Sequence, residues 1–162
     1  MIVISILRKC IILLLAFHLL ISGCSTDKMP DDFNFIFKYG VETKSVLDTF
    51  QEKYTKDLVI DGLITTDLAL SNEDKIKIYE YMKSIDFFNY PEEVEGAVQK
   101  PQSGYRFEIM LNGEKKIVNW RGQFNPGKPS QNDFKQLTKM VIGIIEAKEA
   151  YQSLPESKGG YE

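Results

Sequence analysis

The chain has a single histidine, His18, and only two cysteines, Cys10 and Cys24, and all three fall within its first 24 residues. From Ser25 onward there is neither a thiol nor an imidazole. That region therefore lacks the parts for a cysteine nucleophile, a Ser-His-Asp triad, a zinc site of Cys and His, haem ligation by histidine, or a disulfide. Tryptophan is equally scarce, with Trp120 alone. Cationic excess is missing too: 20 basic residues stand against 23 acidic ones, a balance that argues against nucleic acid as a partner.

What is present starts at the N-terminus. Arg8 and Lys9 precede an apolar run from Cys10 to Ile21, interrupted by His18 and followed by Ser22 and Gly23. A positive start and an apolar core shorter than the roughly 20 residues of a membrane span describe a secretory signal peptide. The tetrapeptide Ile21, Ser22, Gly23, Cys24 resembles the lipobox of bacterial lipoproteins, in which an aliphatic residue and two small ones precede an obligatory cysteine. Isoleucine stands here where that family prefers leucine.

The resemblance implies cleavage between Gly23 and Cys24, a diacylglyceryl thioether on Cys24, and attachment to the extracytoplasmic face of the cell membrane. At about 0.8 kcal/mol per buried methylene, two or three acyl chains hold a protein there essentially permanently. Cleavage leaves 139 residues with 18 basic and 23 acidic side chains, a net charge of −5. The stretches YG, LDTF, YTKDL, LSNEDKIKIYEYM and IDFF are also similar to uncharacterised small lipoproteins of Gram-positive, spore-forming bacteria. That likeness implies the same address and no assigned chemistry.

The pattern predicts a signal peptide over 1–23, a lipidated N-terminus and tether over 24–32, one domain over 33–155 and a flexible tail over 156–162. Eight polar tether residues, Ser25 to Asp32, reach at most about 28 Å, which keeps the domain near the membrane surface. Phe33, Phe35, Phe37 and Tyr39 alternate with Asn34, Ile36 and Lys38, as in a strand packed on a core. A weaker strand is expected over 44–50, and two more, 56–60 and 63–70, flank Asp61-Gly62. Asn112-Gly113 joins Tyr105–Leu111 to Glu114–Trp120 in a two-residue hairpin that opposes Phe107 with Val118 and Tyr105 with Trp120. Arg106, Glu108, Lys115 and Asn119 then mark its wet face.

Ser71 with Asp74 resembles a capping box, and Ile78, Tyr81, Met82 and Ile85 keep helical spacing behind it, so a helix is expected over 72–85. A second runs from Ser130 to about Gln152, stopped by Pro155. The stretch from Pro91 to Gly104 reads as a long polar loop. The order predicts an α+β fold, an antiparallel sheet of about five to six strands (meander plus Asn-Gly hairpin) with two helices packed on one face.

One cluster suits ligand recognition: Trp120, Arg121, Gln123, Phe124 and Asn125 place an indole and a phenyl ring beside a cation and two amides. Rings stack on sugars or peptides, and Arg and Asn supply directed hydrogen bonds; a core tryptophan followed by an ordinary loop fits the same residues. For acid/base chemistry only carboxylates remain, among them Asp31, Asp32, Asp48, Asp57, Glu92, Glu93, Glu95 and Glu108. A glycosidase needs two of them about 5 to 9 Å apart in a cleft. Glu92, Glu93 and Glu95 lack the oxygen ladder of a calcium loop, and neither a metal nor a cofactor is indicated.

These features predict a membrane-anchored, non-enzymatic module that binds an envelope protein, peptide or glycan, with a carboxylate-based envelope hydrolase as the alternative. If the Phe33 to Tyr39 strand lies at a sheet edge, it also offers a partner β-augmentation.

Overall fold

In the computed structural model the aromatic alternation after Phe33 becomes strand β1, Asn34–Val41, with Phe35 and Phe37 fully buried. The model describes residues 28–97, 100–122, 124 and 129–161. The expected signal peptide, its cleavage site at Gly23 and Cys24, and the candidate residues Gln123 and Asn125 lie outside the described residues.

Six further strands follow: β2 Ser45–Asp48, β3 Lys53–Asp57, β4 Leu63–Asp67, β5 Glu93–Glu95, β6 Ser103–Leu111 and β7 Glu114–Arg121. They form one sheet in the order β4-β3-β2-β1-β6-β7-β5. Every neighbouring pair is antiparallel except β5 and β7, which run parallel. The sheet is thus mostly antiparallel, and it has seven strands rather than five or six. The uncounted strand, β5, sits in the stretch that reads as a polar loop. Three residues, two of them glutamates, carry no hydrophobic period, and main-chain bonds flanking the strand hold it: Asn119 donates to the Glu92 carbonyl at 2.6 Å and Gly96 to the Arg121 carbonyl at 2.7 Å.

β1 pairs with β6 from Asn34↔Met110 to Val41↔Ser103 and with β2 from Ile36↔Asp48 to Tyr39↔Ser45. It is a central strand, so augmentation along it is overturned; the edges are β4 and β5. The Asn112-Gly113 hairpin has the expected register, Leu111↔Glu114 through Tyr105↔Trp120, with both turn residues at positive φ. The β3–β4 connection is longer than a two-residue turn: β3 ends at Asp57, Leu58 donates to the Gly62 carbonyl at 2.8 Å, and Val59 takes the left-handed conformation.

Helix α1, Asn72–Ser84, starts in the expected capping box, Asp74 N–H donating to Ser71 Oγ at 3.1 Å and Ser71 N–H to Asp74 Oδ2 at 3.0 Å. The second expected helix is two pieces, α2 Pro129–Glu146 and α3 Glu149–Gln152, so three helices replace two. Lys148 between them is extended (φ −78°, ψ 136°). There its ammonium reaches Asp74 at 2.5 Å while Tyr151 lies 5.6 Å from the Tyr54 ring.

Ile78, Tyr79 and Met82 of α1 and Phe134, Leu137, Val141 and Ile145 of α2 join one buried cluster with the sheet side chains Phe35, Phe37, Leu47, Tyr54, Phe107, Ile109, Val118 and Trp120. Side chains alternate across a strand, so the opposite sheet face carries the intervening polar residues.

Both ends of the described region are tied down. Met29 packs on the core, and the Asp32 carboxylate accepts the amides of Asn112 at 2.9 Å and Gly113 at 2.7 Å. The segment expected as a free tail lies along the β3–β4 connection, with Ser157 Oγ on the Asp57 carbonyl at 2.7 Å and Tyr161 Oη on Asp57 Oδ2 at 2.6 Å. Among the described residues no helix is long and apolar enough to cross a membrane.

Candidate functional site

On the polar face, cross-strand pairing brings alternate residues of β1, β6, β7 and β5 into one charged row. Ile36↔Glu108 and Lys38↔Arg106 are partners between β1 and β6, Arg106↔Asn119 between β6 and β7, and Glu93↔Asn119 between β5 and β7. Glu108 is the centre. Its carboxylate lies 2.9 Å from Lys115 Nζ, 3.0 Å from Arg106 Nε and 3.2 Å from Lys38 Nζ, and its side chain is only 14 % exposed. Hydrogen bonds from Lys115 first, then from Arg106 and Lys38, outweigh partial burial and pull the carboxyl down to about 2.

Arg106 is held from two sides, since Nη1 also donates to Asn119 Oδ1 at 2.8 Å. Asn119 Nδ2 passes the contact on to Glu93 Oε1 at 2.7 Å, and Glu93 Oε2 lies 3.3 Å from Arg121 Nη2. The row thereby fixes two guanidiniums on one face, Arg106 32 % and Arg121 64 % exposed.

Between them opens a cleft of about 280 Å³, walled by Arg106, Asn119 and Arg121 on one side and by Glu42, Thr43 and Ser103 on the other. Its floor is main chain at Gly104, where an added Cβ would stand 2.7 Å from the Trp120 carbonyl oxygen and 3.8 Å from Thr43 Cγ2. The far wall is the tight β1–β2 turn, closed by Lys44 N–H on the Val41 carbonyl at 3.3 Å. Glu42 and Thr43 both sit at φ 53° there, a left-handed conformation that disfavours side chains other than Gly, Asn or Asp.

The five sequence-selected residues divide. Trp120 is 2 % exposed and belongs to the core, its ring 4.8 Å from Phe134 and 4.9 Å from Phe124. Its indole N–H has no hydrogen-bond partner among the described residues. Phe124 stacks on Tyr105 at 5.3 Å. Arg121 alone of the described three presents its side chain to the cleft. In sequence Arg106 and Asn119 signal only a wet face, and Glu42 and Thr43 give no local signal at all. The register that unites them spans more than sixty residues of sequence, and no window of residues reveals that.

The carboxylates are dispersed. Asp48 accepts the amides of Phe50 and Gln51 at 2.9 and 3.1 Å; Asp57 is taken by Val59 N–H and Tyr161. Glu93 and Glu108 do share the polar face, with Arg106 and Asn119 bridging them. A lowered carboxyl is the reverse of what a general acid requires. No group of three or more His, Cys, Asp or Glu side chains among the described residues is arranged to hold a metal.

No protein-family model matches the chain, and neither the curated proteins nor the solved structures contain a significant match to it.

Proposed function

We propose that this protein is a lipid-anchored, non-enzymatic binding module of the cell envelope, held to the extracytoplasmic membrane face through Cys24 and engaging an envelope protein, peptide or glycan with the cleft on its polar sheet face. The observation that carries the reading is the placement of that cleft. The chain enters the domain at Asp32, pinned to the Asn112-Gly113 tip, whereas the cleft lies where β1 ends and β6 begins, at the other end of the sheet. A tether at one end and a concave, polar, charge-lined surface at the other is the layout of a displayed binding site.

The anchor and the module are tested separately. Labelled fatty acid is incorporated into the wild-type chain and lost in Cys24→Ser; equal labelling of both refutes the lipid site. For the module, a photo-crosslinking residue at Gln102, beside the cleft, captures a discrete envelope component that the same residue at Lys139 does not. No differential adduct, together with glycosidase or peptidase turnover by the purified protein, replaces the binding reading with the hydrolytic one.

A further inference from the structure

Resting on that reading, we infer that the cleft receives an oxyanion, a phosphate or carboxylate group borne by the envelope ligand, with Arg106 and Arg121 as its paired donors and Asn119 between them.

Arg106 and Arg121 stand diagonally across the β6–β7 pair, since Arg106 faces Asn119 and Gly104 faces Arg121. Diagonal neighbours on one face are about 7–8 Å apart, a span that two guanidiniums close around one tetrahedral or planar group. Arginine's donors form a rigid fork that matches such oxygens two at a time. Of the five N–H groups of Arg106, two are committed, to Glu108 and Asn119, and the committed ones fix the plane of the rest.

That is preorganisation: the ordering of a long side chain, which otherwise opposes binding, is complete before any ligand arrives. Glu108 performs this orientation without cancelling the local charge, because one carboxylate meets three cations. At the cleft itself Glu93 balances Arg121, and Glu42 on the far wall pairs with Lys44 at 2.9 Å. The anion is therefore drawn by the guanidinium donors left free rather than by a large local net charge.

The shape agrees with the charge. Gly104 keeps the floor free of side chain, and Thr43 and Ser103 line the rim. The left-handed Glu42 and Thr43 hold that rim in place at a conformational cost, and backbone strain of this sort gathers at binding sites. Distance from the tether end separates this site from the headgroups of the anchoring bilayer: β1 alone spans about 26 Å at 3.3 Å per residue.

The test is an NMR titration of the full chain in detergent, with inorganic phosphate and with citrate as probes and a neutral disaccharide as the control. Saturable shifts of the Thr43, Gly104, Arg106 and Arg121 signals are expected with the anions and absent with the disaccharide. Arg106→Gln and Arg121→Gln should each weaken binding about tenfold, while Lys139→Gln on α2 leaves it unchanged. The Arg121→Gln change is at an exposed strand end, so it keeps the test meaningful even if Arg106→Gln perturbs the fold.

Glu108→Gln discriminates further. Released from its carboxylate, Arg106 binds the anion less well despite the extra net positive charge. Tighter binding in that variant, or equal losses in Lys139→Gln, shows a diffuse charge effect and overturns the site. Absence of anion binding alongside retained crosslinking at Gln102 overturns this inference alone; loss of both removes the module reading as well.

Discussion

Glu108 ties three strands together through its side chain, because Lys38 comes from β1 and Lys115 and Arg106 from the β6–β7 hairpin. Replacing it with glutamine leaves three cations facing one another without their counter-charge, at a cost of about 1–3 kcal/mol at neutral pH. Because the native carboxyl is lowered from 4.5 to about 2, its contribution is complete above about pH 5 and disappears as pH falls toward 2. Urea unfolding of the wild type and Glu108→Gln should therefore differ most at pH 7, with the gap narrowing below about pH 4 and closing only as pH approaches about 2; a constant gap would assign the loss to packing. Thr43 carries an opposite prediction. A β-branched residue at φ 53° is strained, and Thr43→Gly should raise stability by about 0.5–1 kcal/mol, readable as a higher denaturation midpoint. A fall instead would show that Thr43 contacts outweigh its backbone. Glu108 is legible in sequence as a wet-face acid and a candidate carboxylate but not as the hub of three cations, and Glu42-Thr43 is not a turn dipeptide that the chain announces.

Among the elements, those specified by neighbouring residues were legible and those specified from afar were not. Asn112-Gly113 supplies both positive-φ residues of its turn, and Ser71 and Asp74 satisfy each other's amides, so the hairpin and the start of α1 could be read directly. β5 exists because β7 offers it a free edge, the α2–α3 break serves contacts to Asp74 and Tyr54, and the tail is held by Asp57; each depends on a partner distant in sequence. The site follows the same division. Arg121 was found because it adjoins Trp120, and Arg106 with Glu42 was not, since only the β1–β6–β7 register brings them to one cleft. The long-range element that matters most for display is the Asp32 clamp. Its carboxyl is held below the usual range, by the Gly113 amide above all, and Asp32→Ala should accelerate amide hydrogen exchange at Asn112 and Gly113 while leaving the β1–β2 amides unchanged. Unchanged exchange at the tip would mean that the hairpin needs no clamp.

At the scale of the molecule the Asp32 clamp and the held C-terminal segment limit how a membrane-tethered domain could be presented. The Cys24 thioether, if it carries lipid as proposed, is joined to Met29 by a stretch that extends at most about 17 Å, and Met29 already packs on the core. A freely tumbling domain on a long tether would show every surface to the bilayer equally; a short lipid-anchored tether clamped at the Asn112-Gly113 tip would keep that tip near the membrane and turn the cleft outward. On the proposed reading, with Cys10 removed and Cys24 acylated, no thiol is left elsewhere, so a single introduced cysteine would be a unique reporting position. Glu114, at the tip, and Gln102, beside the cleft, are both exposed. In vesicles carrying the acylated protein, a donor dye on Glu114→Cys should transfer strongly to a headgroup acceptor and one on Gln102→Cys weakly. Adding Asp32→Ala should narrow the difference, because the domain then pivots on a longer free segment. Equal transfer from both positions in the unmutated background would mean that the sheet lies flat or tumbles, and the cleft would then meet membrane-borne ligands as readily as those farther out.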